Sequence, residues 1–210
     1  EEFKRSLLGL NKPSLLLLAG DMVNRGAALE YMRIVDSIET YVDKDLPIIA
    51  CFGNEEYEET RKELDKYSRN RVRFLEGEAI ILDIGGRTIG VVGAPAPIDR
   101  RSKSNELGGR SIRQRFQLRV RSLSKLLEDV SQEANYTVLL MHYSPLMEEV
   151  DANEVPIFSW WITEATKEFS PNLIIHGHTH ISTRLWTEIG RTRVCNVAIP
   201  ATGRITEIQL

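Results

Sequence analysis

Four times in this chain of 210 residues, a short apolar run gives way at once to residues that bind metals well. The runs are 14–19, 46–52, 137–141 and 173–175, and they are followed by Gly20-Asp21, Gly53-Asn54, His142 and the stretch His176-Gly177-His178-Thr179-His180. Unbroken apolar runs of this length predict strands covered on both faces. The polar residues then stand at strand ends, and in an open α/β sheet the loops over the carboxyl ends of the strands are where ligands bind. Between the first two runs, residues 26–42 place Leu29, Met32, Val35, Ile38, Tyr41 and Val42 at helical spacing. Strand, amphipathic helix and strand in succession predict a parallel pair.

The same pattern extends along the chain. Residues 2–10 carry Phe3, Leu7, Leu8 and Leu10 at helical spacing, and 55–66 form a charged helix. Strands follow at 72–75, 79–84 and 88–92, the last two joined as a hairpin by Gly85-Gly86. A long helix over about 111–133 shows a stripe of Ile112, Phe116, Val120, Leu123, Leu127 and Val130, and a shorter one covers 158–169. Residues 182–189, 192–198 and 205–209 predict a terminal antiparallel meander.

A net charge of −3 excludes a wholly basic nucleic-acid binder, and no apolar run reaches the roughly 20 residues of a membrane span. No signal peptide precedes Cys51 and Cys195, which both lie in apolar segments, so they read as reduced core thiols of a cytoplasmic protein. The length fits one domain, 1–210, with a sizeable core.

Asp21 offers two oxygens that can bridge two cations, Asn54 a neutral carbonyl oxygen, and His142, His178 and His180 imidazole nitrogens. Mixed N/O shells of this kind suit Mn, Fe, Zn, Ni or Co. Two such ions about 3.5 to 4 Å apart can clamp a phosphate and activate a water. All four histidines of the chain fall at these strand ends, and His176, inside the apolar run, reads as a buried or supporting histidine.

Gly20-Asp21, Gly53-Asn54-Glu55-Glu56, Met141-His142 and Gly177-His178-Thr179-His180 together resemble the calcineurin-like metallophosphoesterases. The likeness covers nearly the whole chain. It implies a four-layer αββα sandwich of mixed sheets flanked by helices. Asp21 would bridge two divalent ions, with Asn54, His142 and His178 on one ion and His180 on the other. The run from Asp21 to Gly26 is similar to one in protein Ser/Thr phosphatases whose arginine holds substrate phosphate, a role that carries to Arg25. A guanidinium fork suits it, since it matches phosphate oxygens in pairs. The catalytic set is then Asp21, Asn54, Glu55 and His142, acting on a small phosphate ester or nucleotide, either monoester or diester.

Two departures stand out. No Asp-x-His precedes Gly20, so the expected chain is a domain lacking its first strand, with a site that holds one ion tightly and the second weakly. Glu55 stands where the family has a histidine that assists the leaving group. As a carboxylate it is a poor proton donor, which leaves it as an extra ligand, a base or a non-essential residue. These departures support an alternative, a catalytically degenerate protein that binds a nucleotide or protein partner. Between Arg100 and Lys125 lie Arg100, Arg101, Lys103, Arg110, Arg113, Arg115, Arg119, Arg121 and Lys125 against Glu106, a stretch that reads as a solvated helix face or as a guide for nucleic acid. Trp160 and Trp161 read as core residues, or as platforms for a base.

Overall fold

The computed structural model describes residues 2–95, 112–146, 157–182 and 184–210. In chain order the elements are α1 (Glu2–Leu7), β1 (Leu16–Leu18), α2 (Glu30–Tyr41), β2 (Ile48–Ala50), a 3-10 turn (Glu58–Thr60) and α3 (Arg61–Tyr67). They continue with β3 (Val72–Phe74), β4 (Ala79–Ile84), β5 (Arg87–Gly93), α4 (Ile112–Glu133), β6 (Tyr136–Leu140), α5 (Ile157–Ala165) and β7 (Leu173–His176). β8 (Trp186–Ile189), β9 (Thr192–Asn196) and the short α6 (Ile199–Thr202) close the chain.

The strands make two sheets, a parallel one in the order β1-β2-β3 and a mixed one in the order β4-β5-β6-β7-β9-β8. Even in the fully apolar strands the side chains alternate between two cores, because successive residues point to opposite faces. Leu16, Leu18, Ile48 and Ala50 pack with Leu7 of α1, Tyr31, Val35 and Ile38 of α2 and Leu64 of α3. Leu139, Ile174 and Val194 pack with Phe116, Leu123 and Leu127 of α4 and Ile162 of α5. Ile49, Val91, Val138, Leu140, Leu173, Ile175 and Cys195 meet between the sheets. The layers therefore run helix, sheet, sheet, helix, as the resemblance implies, and each fully buried Leu or Ile contributes about 1.5 to 3 kcal/mol to holding them together. Both cysteines are free and buried, and burial pushes the Cys195 thiol up to about 11, so it is not a thiolate at neutral pH.

Several boundaries differ from those the sequence predicts. α2 starts at Glu30 instead of 26, because Arg25 holds a left-handed φ of +49° and the chain turns twice before the helix begins. The helix predicted from 55 begins only beyond Tyr57, which is extended, since Glu55 and Glu56 are bonded to the 21–26 loop. The predicted terminal meander is also corrected. β9 inserts beside β7 and parallel to it, leaving β8 at the edge, and 205–209 form no strand. β9 is almost wholly buried whereas β8 alternates with exposed residues, and a polar strand is tolerated at an edge where an apolar one is not. Ile205 and Ile208 instead pack against two of the cores.

Trp161 is a core residue, packed under α4. Arg100, Arg101, Lys103, Glu106, Arg110 and the side chains of Arg113 and Trp160 lie outside the described residues. Of the rest of the basic stretch, Lys125 pairs with Glu128 and Asp129 along its own helix.

Candidate metal centre

The carboxyl ends of β1, β2, β6 and β7 meet on one rim. Gly20 lets them meet, since at φ +81° a Cβ there would lie 2.6 Å from the Gly53 nitrogen and 2.7 Å from His142 Nδ1. Gly53 is packed as tightly, with Asp21 Oδ1 2.1 Å from where its Cβ would stand. Asp21 and His178 take left-handed φ values of +53° and +63°. Such conformations cost about 1 to 3 kcal/mol each and persist where surrounding bonds over-determine them, often at functional sites.

His142 is the hub. Its Nδ1 donates to the Ala19 carbonyl at 2.9 Å, which leaves a lone pair on Nε2. That Nε2 lies 2.9 Å from Asn54 Oδ1, 3.1 Å from His178 Nδ1 and 3.2 Å from Asp21 Oδ2. The Asn54 amide is oriented by its Nδ2, which donates to Glu55 Oε1 at 3.2 Å. Two imidazole nitrogens, an amide oxygen and a carboxylate oxygen thus converge. A proton on His142 or His178 can bridge part of this set, and with that proton displaced the mixed N/O donors fit a divalent ion. Ligand atoms of Asp21, His142 and His178 all lie within 4.8 Å of one another.

The electrostatics agree from both sides. Burial pushes the Asp21 carboxyl up, but the His142 imidazole, the Glu55 N–H and His178 bring it below the ordinary aspartate value. Burial disfavours charge on His142, yet the Asp21 carboxylate and the Ala19 carbonyl raise it above the ordinary histidine value.

Beneath the rim lies a residue the sequence did not single out for a role. Glu56 is 0% exposed. Its Oε2 accepts from the backbone N–H groups of Asp21 and Gly53, both at 2.7 Å, and its Oε1 from Met22 at 2.7 Å and Val23 at 3.4 Å. One carboxylate therefore ties the β1 loop to the β2 loop. Burial and the Asp21 charge raise its pKa, and the N–H groups of Gly53 and Asp21 oppose the rise. The available signal was its place as the acid that closes the Gly-Asn-x-acid motif. Tyr143, also unforeseen, sets its ring edge-on to His142 and His178, with centroids 5.2 and 4.5 Å away.

Asp21, Asn54, His142 and His178 are brought together. His180 is exposed and stands outside that group, though it lines the same groove as Asp21 and His178. Glu55 is beside the group rather than in it, with its carboxylate on the Arg25 backbone N–H at 2.7 Å and on Asn54. Arg25 is exposed at the tip of the 21–26 loop. His176 is buried, its Nδ1 3.0 Å from the Gly177 carbonyl oxygen. The groove, about 1320 Å³, runs from the site along β1 between the sheets, past Leu15, Leu17, Ile89 and Val138.

Over residues 1–182 the sequence matches the family described as calcineurin-like phosphoesterase. No curated protein matches the chain. Among solved structures, the sulfate thiohydrolase SoxB of Thermus thermophilus, in complex with glycerol, aligns with a TM-score of 0.58 at 18% identity, over 89% of this chain and 34% of that one. TT1561 of Thermus thermophilus aligns with a TM-score of 0.58 at 15% identity, over 90% of this chain and 79% of that one. A putative 5'-nucleotidase from Staphylococcus aureus reaches a TM-score of 0.48 at 14% identity, over 78% of this chain and 34% of that one. The chain spans about a third of the length of SoxB and of the 5'-nucleotidase, and its likeness to SoxB and TT1561 is one of fold.

Proposed function

The chain belongs to the calcineurin-like phosphoesterase family, and from that premise we propose that it hydrolyses a phosphate mono- or diester with divalent metal ions. The observation that carries this is the ring of donors around His142 Nε2, with Asn54 Oδ1, His178 Nδ1 and Asp21 Oδ2 at 2.9 to 3.2 Å. Asp21, Asn54, His142 and His178 would hold one ion. Asp21 and His180 would contribute to a second, on the groove side. The two free, buried cysteines support a reducing, cytoplasmic setting, and no helix among the described residues is long and apolar enough to cross a membrane.

When bound, the ions supply positive charge for the phosphate oxygens and lower the pKa of water. The chain's own groups do the rest. Arg25, on a loop anchored through its backbone to Glu55, would bind the non-bridging phosphate oxygens with its guanidinium. Nothing in the geometry makes Glu55 a proton donor to the leaving group, since both its carboxylate oxygens already accept hydrogen bonds. Esters with good leaving groups should therefore react well and alkyl esters poorly, because only the latter need a proton in the transition state. A nucleotide ester, whose leaving group is a ribose alkoxide, is accordingly expected to bind but react slowly, and the exposed Arg121 of α4 would add salt-dependent attraction for a longer polyanion.

The replacement of the family histidine by Glu55 favours a second reading, a degenerate member that binds a nucleotide or protein partner without turnover. Assays with p-nitrophenyl phosphate and bis(p-nitrophenyl) phosphate separate the two. Turnover with Mn²⁺ that disappears in EDTA supports hydrolysis. Nucleotide binding without turnover of either ester supports the degenerate protein.

A further inference from the structure

Glu55 departs from the family pattern, yet it is among the most heavily bonded residues at the rim. Its backbone N–H donates to Asp21 Oδ1 at 2.7 Å and its carbonyl accepts from Gly26 N–H at 2.8 Å. Its side chain accepts twice more, Oε2 from the Arg25 backbone N–H at 2.7 Å and Oε1 from Asn54 Nδ2 at 3.2 Å. Three of these four bonds fasten the 21–26 loop, in which Asp21 and Arg25 both sit at positive φ. The fourth fixes the Asn54 amide.

We propose that Glu55 is a positioning residue, whose carboxylate holds Asn54 Oδ1 toward His142 and the 21–26 loop in place at once. The chemistry is specific to a carboxylate. An Asn amide presents either an oxygen or an NH2 group, and only the oxygen can ligate a cation or face a lone pair. With Oε1 of Glu55 taking the NH2, the oxygen is left pointing at His142 Nε2, 2.9 Å away. Two donors from different loops require two acceptor oxygens on one side chain. A neutral imidazole offers one acceptor, and a glutamine would set its own NH2 against one of the two donors. The residue in the place of the family histidine thus exchanges one task for another: it orients a neighbour and an adjoining loop and does not itself reach the reacting atoms.

The inference rests on the proposed metal role of Asn54, and its test separates the two. Glu55→Gln keeps the size of the side chain and should leave the melting temperature nearly unchanged. It should weaken Mn²⁺ binding by calorimetry on the order of tenfold, the scale seen when a group that orients a ligand is lost. In the Asn54→Ala background the same substitution should cost clearly less, because the amide is gone and only the hold on the 21–26 loop remains to be weakened. Equal losses in both backgrounds, or none in either, overturn the proposal. A second readout needs no metal. The Asn54 side-chain NH2 resonances, identified by their loss in Asn54→Ala, should exchange slowly with water in the parent protein and much faster in Glu55→Gln. Unchanged exchange overturns the role of Glu55 even if the metal site is real. Absent Mn²⁺ binding with the predicted change in exchange sinks the metal reading and leaves Glu55 as the group that orients Asn54.

Discussion

Asp21→Ala is expected to lower kcat/KM for metal-dependent phosphate ester hydrolysis by at least about a thousandfold while the protein stays folded. Asp21 is the one carboxylate of the donor ring, with Oδ2 3.2 Å from His142 Nε2. Without it the ring holds an amide oxygen and two imidazoles, all neutral, and the charge that attracts a divalent cation is gone. Bound cations stabilise a phosphoryl transition state by several kcal/mol, and each 1.36 kcal/mol is a factor of ten in rate, so about a thousandfold is a lower bound. The fold should survive. Asp21 is only half-buried, and the backbone bonds from its own N–H and from Met22 to Glu56 do not involve its side chain. Asp21→Asn refines the result, since it keeps an acceptor for the Glu55 N–H and removes only the charge. Activity within tenfold of the parent protein in either variant would place the chemistry elsewhere.

Glu56→Ala is the counterpart, with its large effect on stability. Four backbone N–H groups from two loops converge on this fully buried side chain, and alanine leaves all of them without an acceptor. A buried donor stripped of its partner costs about 1 to 3 kcal/mol. Because solvent can reach part of the cavity that forms, the four do not add in full, and a loss of about 3 to 5 kcal/mol is expected. For a chain of this size that lowers the melting temperature by about 6 to 20 °C. Glu56→Gln should fall between, since its oxygen still accepts while its NH2 opposes an N–H. Thermal unfolding followed by circular dichroism reads both variants, and a melting temperature within about 2 °C of the parent for Glu56→Ala would show that the loops are held by something else.

These two residues also show what could be read from the sequence. Asp21, Asn54, His142 and His178 were legible because each follows an apolar strand, and parallel strands deliver their ends to one rim. The layers were legible for the same reason, since uninterrupted runs such as Leu139–Leu140 and Ile174–Ile175 require cover on both faces. The division of labour between Glu55 and Glu56 was not. Adjacent glutamates look alike in a sequence, and only the turn after Gly53 decides that one is buried under the loops while the other latches Arg25 and Asn54. The order of β8 and β9 escaped as well, because strand order depends on which of two hairpin partners is the more apolar across a sheet that the sequence does not display. His180 shares a motif with His178 but lies outside the donor ring, a matter of backbone turn and not of residue type.

The most direct test of the metal centre is a calorimetric titration with Mn²⁺ across pH 5.5 to 8. A ligand imidazole must be neutral, so the ion competes with the proton on His142. The Asp21 carboxylate beside it raises the His142 pKa above the usual 6.5 despite burial, whereas Asp21, held below its usual value, is already ionised throughout this range. Affinity should therefore rise with pH, by up to about tenfold per unit below the His142 pKa, level off above it, and be accompanied by release of a proton. It should be lost in the His142→Ala and His178→Ala variants. Binding of equal strength in the parent and in both histidine variants, or no binding at any pH, would contradict a metal centre built on Asp21, Asn54, His142 and His178.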